Sequence, residues 1–551
     1  MVKSRSTLVF FLFLLLLIVV YSPVLYFNFV FHDDALFWLK LKEYGIKHYS
    51  YDNLIIECRF GEAWLQTLEN IIVRHVTDLT WLRFSSLFIL SCNAYLMFLQ
   101  MRRLSFSDIQ AFLVISAMAF LPGFAANIFN SSYCFVFFLT ILLATCSFNQ
   151  ARNSQKIPLP VLLLFLSIAT YPSTAMFYWV MVGMYILFTP DRYSVQFRQN
   201  ISRLIAVGTT GLVIYAALIY VMHFYFSHHL NNTFYNPYLI SLDYAGKFQW
   251  FIQEPLTNSL NLWNIFPKVT TSLVIIGFIF ISAWAIFRKK LFAIEPSKRK
   301  AWVLTCLWQT ALFIIVFFLT FLPNLVAQGN AAFYRCLLPL SSLTWLLLVW
   351  ALFQWQKIWP KIFTSMVITA LLSTAVVYAG IKTYDNVLWY RVLPSYVEFK
   401  AYMDMAKELR SKKTDGVYVI LPYHFPVQRY DEFNVLTSDF TGEIYHLIYC
   451  VLNETDSTNR GVPRVYISSP GSTYARELIE VYYKKLPNGE FIYKNINNNH
   501  FLPLKYNWVS CDHGVLPFLY PQRIDPKGKN WSIINLTDLF SLSNYKEFFT
   551  S

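Results

Sequence analysis

Long apolar stretches separated by short polar ones fill the first 380 residues. After a brief basic start, Met1–Arg5, the run Thr7–Phe31 is almost wholly apolar. As a helix it is long enough to cross about 30 Å of hydrocarbon. It is too long for a typical signal-peptide core and lacks a small-x-small cleavage site, which predicts a retained first helix. Further apolar runs recur at 82–100, 108–126, 132–148, 157–172, 174–189, 204–226, 269–287, 301–323, 336–354 and 361–380. The pattern predicts eleven membrane-spanning helices, with tight connections at Asn127–Ser131 and Tyr171–Ser173. Beyond Gly380 it changes. Val397–Lys412 reads as an amphipathic helix, Gly416–Pro422 as a buried strand, Tyr445–Asn453 and Arg464–Ser468 as further strands, and Tyr474–Lys485 as another helix. The expected fold class is a polytopic α-helical membrane protein (1–380) followed by a soluble α/β domain (381–551).

Composition agrees. The chain has 551 residues, 56% of them hydrophobic and only 14% charged, with a mean hydropathy of +0.42. Soluble domains carry about 25% charged residues, so a soluble enzyme or a disordered chain is excluded. The net charge of +14 is not that of a nucleic-acid binder. Residues 1–380 hold 26 Lys and Arg against 13 acids, scattered through short loops, whereas 381–551 hold 19 against 18. No nucleic-acid motif accompanies them. No Walker loop or GxGxxG is present, which argues against an ATP-driven pump.

Charge also predicts orientation. With eleven spans and a cytoplasmic N-terminus, the cytoplasmic segments contain 17 basic residues and three acids, against nine basic residues and ten acids on the opposite side up to Gly380. An odd number of spans places 381–551 outside. The eight cysteines contain no CxxC pair, so a zinc site is not expected. Cys450 and Cys511 lie in the tail, where a disulfide is one of two open outcomes.

Chemistry is expected on the outer face, in the segments 31–81, 227–268 and 323–335. The first opens with His32-Asp33-Asp34 directly after the first span and continues with Glu57, Arg59, Glu62, Glu69 and Arg74 among apolar residues, a pattern for helices on a membrane surface. Adjacent carboxylates at a membrane boundary cost free energy unless water, a cation or a donor meets them. Asp33 and Asp34 read either as a solvated helix start or as a general base, one pKa raised by its neighbour and by partial burial. His228-His229 is a weak metal candidate, because adjacent side chains diverge. Tyr171-Pro172 reads as a turn. The outer Trp residues read as interface belt, with Trp64, Trp250 and Trp263 as candidates to stack on sugar rings.

A first span, an outer Asp33-Asp34 and a long amphipathic loop, with Arg59 in Cys58-Arg59-Phe60-Gly61 and Tyr334-Arg335 leading into Cys336–Leu340, resemble the GT-C class of membrane glycosyltransferases. More narrowly, the chain resembles the O-antigen glucosyltransferase (Gtr-type) family of bacteria and their phages. The resemblance implies transfer of a sugar, glucose first among the candidates, from a polyprenyl-phosphate donor at the outer leaflet. The acceptor is a hydroxyl of a surface polysaccharide such as the O-antigen of lipopolysaccharide, or of a lipid-linked glycan, with inversion at the anomeric carbon. It implies an inner-membrane protein with a periplasmic C-terminal domain. By position Asp33 or Asp34 is the base, with Glu57 and Glu62 next in line. The tail is longer than in compact members of that family.

A phosphate leaving group needs cations as charge develops on its bridging oxygen, and guanidinium binds phosphate bidentately. Arg59 and Arg335 are the candidates, with Lys268 third; the competing reading for each is an interface anchor. The Asp pair also leaves open a divalent ion, Mg or Mn, on the donor phosphate. Two rival functions share the spans: a flippase or transporter of a lipid-linked sugar, and a non-catalytic polysaccharide-assembly protein. Spans nearly free of charge favour a surface site over alternating access.

Overall fold

The computed structural model describes residues 2–27, 29–30, 59–72, 78–129, 131–154, 156–190, 194–230, 241–266, 268–327, 329–330, 332–357, 361–396, 398–400 and 403, and five strands within 416–535. The helices in chain order are α1 (Val2–Val20), α2 (Ser22–Tyr26), α3 (Phe60–Ile72), α4 (Asp78–Arg103), α5 (Asp108–Ala119), α6 (Pro122–Phe129), α7 (Ser131–Asn153), α8 (Pro158–Thr170), α9 (Pro172–Ala175), α10 (Phe177–Phe188), α11 (Val195–Leu230), α12 (Tyr244–Phe251), α13 (Thr257–Leu260), α14 (Val269–Ala293), α15 (Pro296–Leu319), α16 (Leu322–Val326), α17 (Tyr334–Gln354) and α18 (Lys361–Val387).

Seven of these helical segments are long and apolar enough to cross a membrane by themselves, and the bent pair α5–α6 makes an eighth. The chain is a multi-pass helical membrane protein. Eight of the eleven expected spans coincide with these, and the other three coincide with shorter apolar helices, Thr7–Val20, Pro158–Thr170 and Pro172–Phe188. A 13-residue helix such as α8 reaches only about 20 Å. Prolines account for the interruptions. Pro23 and Pro172 open α2 and α9, and α5 and α6 meet at 57° across Phe120-Leu121-Pro122.

Two boundaries also move. The segment 190–203, expected as a loop, is mostly the start of α11. Gly380, expected to end the membrane region, lies inside α18, which continues through a π turn (Leu388–Val392). Nothing at Gly380 stops a helix: there is no proline, and an added Cβ would meet Val20 at an ordinary 3.5 Å.

The core centres on α17, 72% buried over its apolar stretch, with α6, α9, α10 and α14 against it. Its indole Trp345 Nε1 donates to Val114 O at 2.9 Å. Gly123 lets α6 lie directly on the first turn of α17, since a Cβ there would stand 2.7 Å from Tyr334 O. A second group, α4, α7, α8 and α11, packs alongside. By contrast α15 is only 11% buried over its apolar stretch and presents Leu304, Leu307 and Ile315 outward, as a lipid-facing helix does.

In the tail, β1 (Gly416–Ile420) pairs in parallel with β2 (Arg464–Ser468) and β5 (Trp531–Asn535), giving the order β2-β1-β5; β3 (Asn507–Cys511) and β4 (Gly514–Phe518) pair antiparallel. The expected strands at 416 and 464 coincide with β1 and β2. The expected elements at 445–453 and 474–485, and Cys450, lie outside the described residues.

Candidate functional site

The helical chain turns sharply between α8 and α9. Tyr171 stands there in extended backbone (φ −150°, ψ 101°), as the residue before a proline prefers. Its ring is buried and meets the edge of Phe137, centroids 4.5 Å apart. The Arg59 guanidinium lies 5.0 Å above the same ring. The phenol is also within electrostatic reach of Arg335, Cys336 and Glu62. One arginine therefore stacks on this ring, and a second, far away in sequence, lies within electrostatic range of its phenol.

Helix α3 brings the acidic partner. Arg59 Nη1 stands 3.5 Å from Glu62 Oε2, and Gln66 Nε2 donates to Glu62 Oε1 at 3.2 Å. Glu62, Gln66 and Glu69 recur at helical spacing and all are buried, while Trp64 (64% exposed) and Ile72 (72%) point away. This inverts the arrangement of a water-facing helix. A helix with its polar stripe inward and apolar residues outward suits the edge of a bilayer, with Glu62 turned toward Arg59. Close packing fixes it: Gly61 abuts α8, where an added Cβ would fall 2.2 Å from Thr170 Oγ1.

Helix α17 delivers Arg335. Its N-cap is Phe333, and Arg335 lies 5.2 Å from that ring. The adjoining Tyr334 hydroxyl donates to Ile265 O at 2.9 Å, anchoring the helix start. The preceding loop is held by Lys247. Its ammonium donates to Gly329 O (2.7 Å) and Asn324 O (3.3 Å) and lies 4.6 Å from the Trp250 ring, while Trp250 Nε1 donates to Glu254 at 2.7 Å. Burial pushes the Lys247 ammonium below the usual lysine range. Asn324 Nδ2 reaches Ser173 Oγ at 3.5 Å, tying this loop to the Tyr171 turn.

The expected site residues separate accordingly. Arg59, Glu62 and Arg335 come together. Lys268 is exposed at the start of α14, its backbone N–H donating to Asn261 Oδ1 at 3.0 Å, and no contact joins its ammonium to that group among the described residues. Asp33, Asp34 and Glu57 lie outside the described residues, but the chain leading to the Asp pair is anchored: buried Arg83 donates to Phe29 O (2.8 Å) and Val24 O (3.3 Å), 3.8 Å over the Phe29 ring. Trp263 and Trp250 are not free to stack on a sugar. Both are buried; Trp263 donates to Ala117 O at 2.8 Å and packs on Trp345. Trp64 stays exposed. Among the described residues no group of three or more His, Cys, Asp or Glu is placed to hold a metal.

Tyr171, Gln66, Glu69, Arg83 and Lys247 were not among the expected site residues, although Glu69 was placed on the outer amphipathic segment. The recurrence Glu62-x3-Gln66-x2-Glu69 carried a signal for the α3 pair, because three polar residues on one helical stripe need a common partner. Tyr171 carried only its Tyr-Pro dipeptide, which reads as a turn. Comparison with protein-family models, with curated proteins and with solved structures gave no match for this chain.

Proposed function

We propose that the protein is an integral-membrane glycosyltransferase of the GT-C type. It moves a sugar from a polyprenyl-phosphate donor to a surface polysaccharide such as O-antigen, or to a lipid-linked glycan, at the outer leaflet. The observation that supports this reading is Arg59 stacked on Tyr171 beside buried Glu62, with Arg335 within electrostatic range of the same phenol. A donor phosphate needs two cationic groups at the membrane boundary, and guanidinium supplies planar, bidentate donors. Asp33 or Asp34 accepts the proton of the attacking hydroxyl as its oxygen bonds to the anomeric carbon. The bond from that carbon to the phosphate oxygen breaks, and the developing charge passes to Arg59 and Arg335. Attack opposite the leaving group inverts the centre. Glu62 orients Arg59 and is the reserve acid/base. Residues 381–551 form an α/β domain over this face that helps hold the acceptor.

Glycosyl transfer by purified protein in nanodiscs tests the reading, with polyprenyl-phosphate glucose as donor and a crude surface glycan as acceptor. Wild type transfers, and Asp33→Asn or Asp34→Asn abolishes transfer with folding intact. Transfer unaffected by either change moves the base elsewhere. Movement of the carrier across the bilayer without transfer overturns the reading in favour of a flippase.

A further inference from the structure

At the other end of α8, about 20 Å away by helix rise, the ends of α4, α7, α10 and α11 meet and pack on one another. Here the polar chemistry is of a different kind. Arg152, in the last turn of α7, is half-buried; its Nη1 donates to Gln100 Oε1 at 2.6 Å, and its guanidinium lies 4.9 Å from the Tyr185 ring. Gln100 is itself buried and donates its amide to Asn149 Oδ1, so its oxygen is turned toward Arg152. Tyr185 is braced in turn: it stacks on Phe197, and its hydroxyl accepts from Asn200 Nδ2 at 3.2 Å. Four helices thus hold one guanidinium in a single orientation.

No carboxylate meets it among the described residues. Asp108, the acid on the α4–α5 connection, is engaged by Arg102 at 2.7 Å. Arg103 stands one turn beyond Gln100 on the same face of α4, so a second cation lies on the side of Arg152 that Gln100 meets. Arg203 adds a third, its Nη1 donating to Ser154 O at 3.1 Å. A guanidinium has five N–H donors. Among the described residues one neutral acceptor and one ring leave most of them unused, and like charge beside it raises the cost of keeping it ionised. An anion with several acceptor oxygens removes both costs. A phosphate diester does so with a fork geometry matched to Arg152, and basic pockets between helix ends at a membrane surface bind such headgroups.

We propose that Arg152 and Arg103 form a binding site for the phosphate of an anionic phospholipid headgroup, at the end of the bundle opposite Tyr171. The site is independent of the transferase reading. Its chemistry would also admit free phosphate, so the test separates the two sources. The full chain in detergent is offered phosphatidylglycerol, phosphatidylcholine or inorganic phosphate, and retained lipid is read by native mass spectrometry and stability by the thermal midpoint. Wild type is expected to retain at least tenfold more phosphatidylglycerol than phosphatidylcholine and to be stabilised by the former alone. Arg152→Gln and Arg103→Gln should each bring retention toward the phosphatidylcholine level, and Arg152→Lys should restore part of it. Arg103 is exposed and makes no hydrogen bond among the described residues, so Arg103→Gln carries the test if Arg152→Gln fails to fold. Equal retention of the two lipids by wild type, or unchanged retention in Arg103→Gln and every folded Arg152 variant, overturns the proposal. Stabilisation by inorganic phosphate that matches and displaces phosphatidylglycerol overturns the lipid assignment.

Discussion

Helix α8 joins two polar regions that handle positive charge in opposite ways. At the Tyr171 end, Arg59 is paired with a buried carboxylate and stacked on an aromatic ring, and the acid comes from an amphipathic helix packed on α7 and α8. At the Arg152 end, the guanidinium is held by an amide oxygen and a ring, with no acid among the described residues. A compensated cation beside a buried acid can exchange partners when a phosphate arrives and hand charge back when it leaves, as turnover requires. An uncompensated one gains from a permanent anionic partner. The same residue type therefore reads as site chemistry at one end and as membrane anchoring at the other, and what decides is the company it keeps.

The sharpest way to break this comparison is to remove charge at each end in turn. Arg335→Gln should lower glycosyl transfer by about 10²–10³, the usual cost of losing one donor to a developing oxyanion. Arg103→Gln should leave transfer within experimental scatter. Initial rates in nanodiscs at saturating donor check both. Equal losses at the two ends would erase the distinction.

Geometry comes next. Gly61→Ala pushes a methyl into Thr170, whose Cα already stands 3.1 Å from that position and whose hydroxyl is held by Leu166 O at 2.7 Å. Overpacking of this kind costs about 1–3 kcal/mol. If the strain is relieved by displacing α3, then Glu62 and Arg59 shift with it, and transfer should fall about tenfold while lipid retention at the Arg152 end is unchanged. A thermal melt beside the transfer assay separates loss of fold from loss of alignment.

How much of this was legible in the sequence follows from the range of the interactions. Hydropathy is a local property, so every apolar run was found, and β1 and β2 announced themselves through Gly416–Ile420 and Arg464–Ser468. Span length was misjudged where proline intervenes at Tyr21-Ser22-Pro23 and Phe120-Leu121-Pro122, because apolar composition continues across a break in the backbone, whereas Tyr171-Pro172 was read as a turn. Gly380 misled for the converse reason: composition changes there, but nothing in the backbone ends the helix. Arg59 and Arg335 were identifiable as boundary cations. Their common partner was not, since Tyr171 is 112 residues from one and 164 from the other and only packing brings them together. The inward polar face of α3 was readable in principle from its spacing, but which face meets the bundle depends on Gly61 against Thr170, a long-range contact.

The smallest effect concerns Lys247, the cation at the Tyr171 end that meets no carboxylate among the described residues and so resembles Arg152. The two differ in what each can do about burial. Arginine stays charged at any accessible pH, whereas lysine can shed its proton. Burial lowers the Lys247 pKa, so between the folded and the unfolded value the unfolded chain binds more protons than the folded one. Stability then rises with pH across that window, below 10.5, and the cost of burying the ammonium is felt in full at lower pH. Against this, the charged hydrogen bonds to Gly329 O and Asn324 O hold the loop before Arg335, and charged hydrogen bonds contribute about 1.5–3 kcal/mol. Lys247→Met should therefore lower the thermal midpoint at neutral pH and flatten its climb toward alkaline pH. It should also weaken transfer through loss of Arg335 alignment, with kcat falling more than KM rises. A midpoint that climbs with pH as steeply in Lys247→Met as in wild type would show that the slope arises elsewhere, and Lys247 would then be a fixed cation like Arg152.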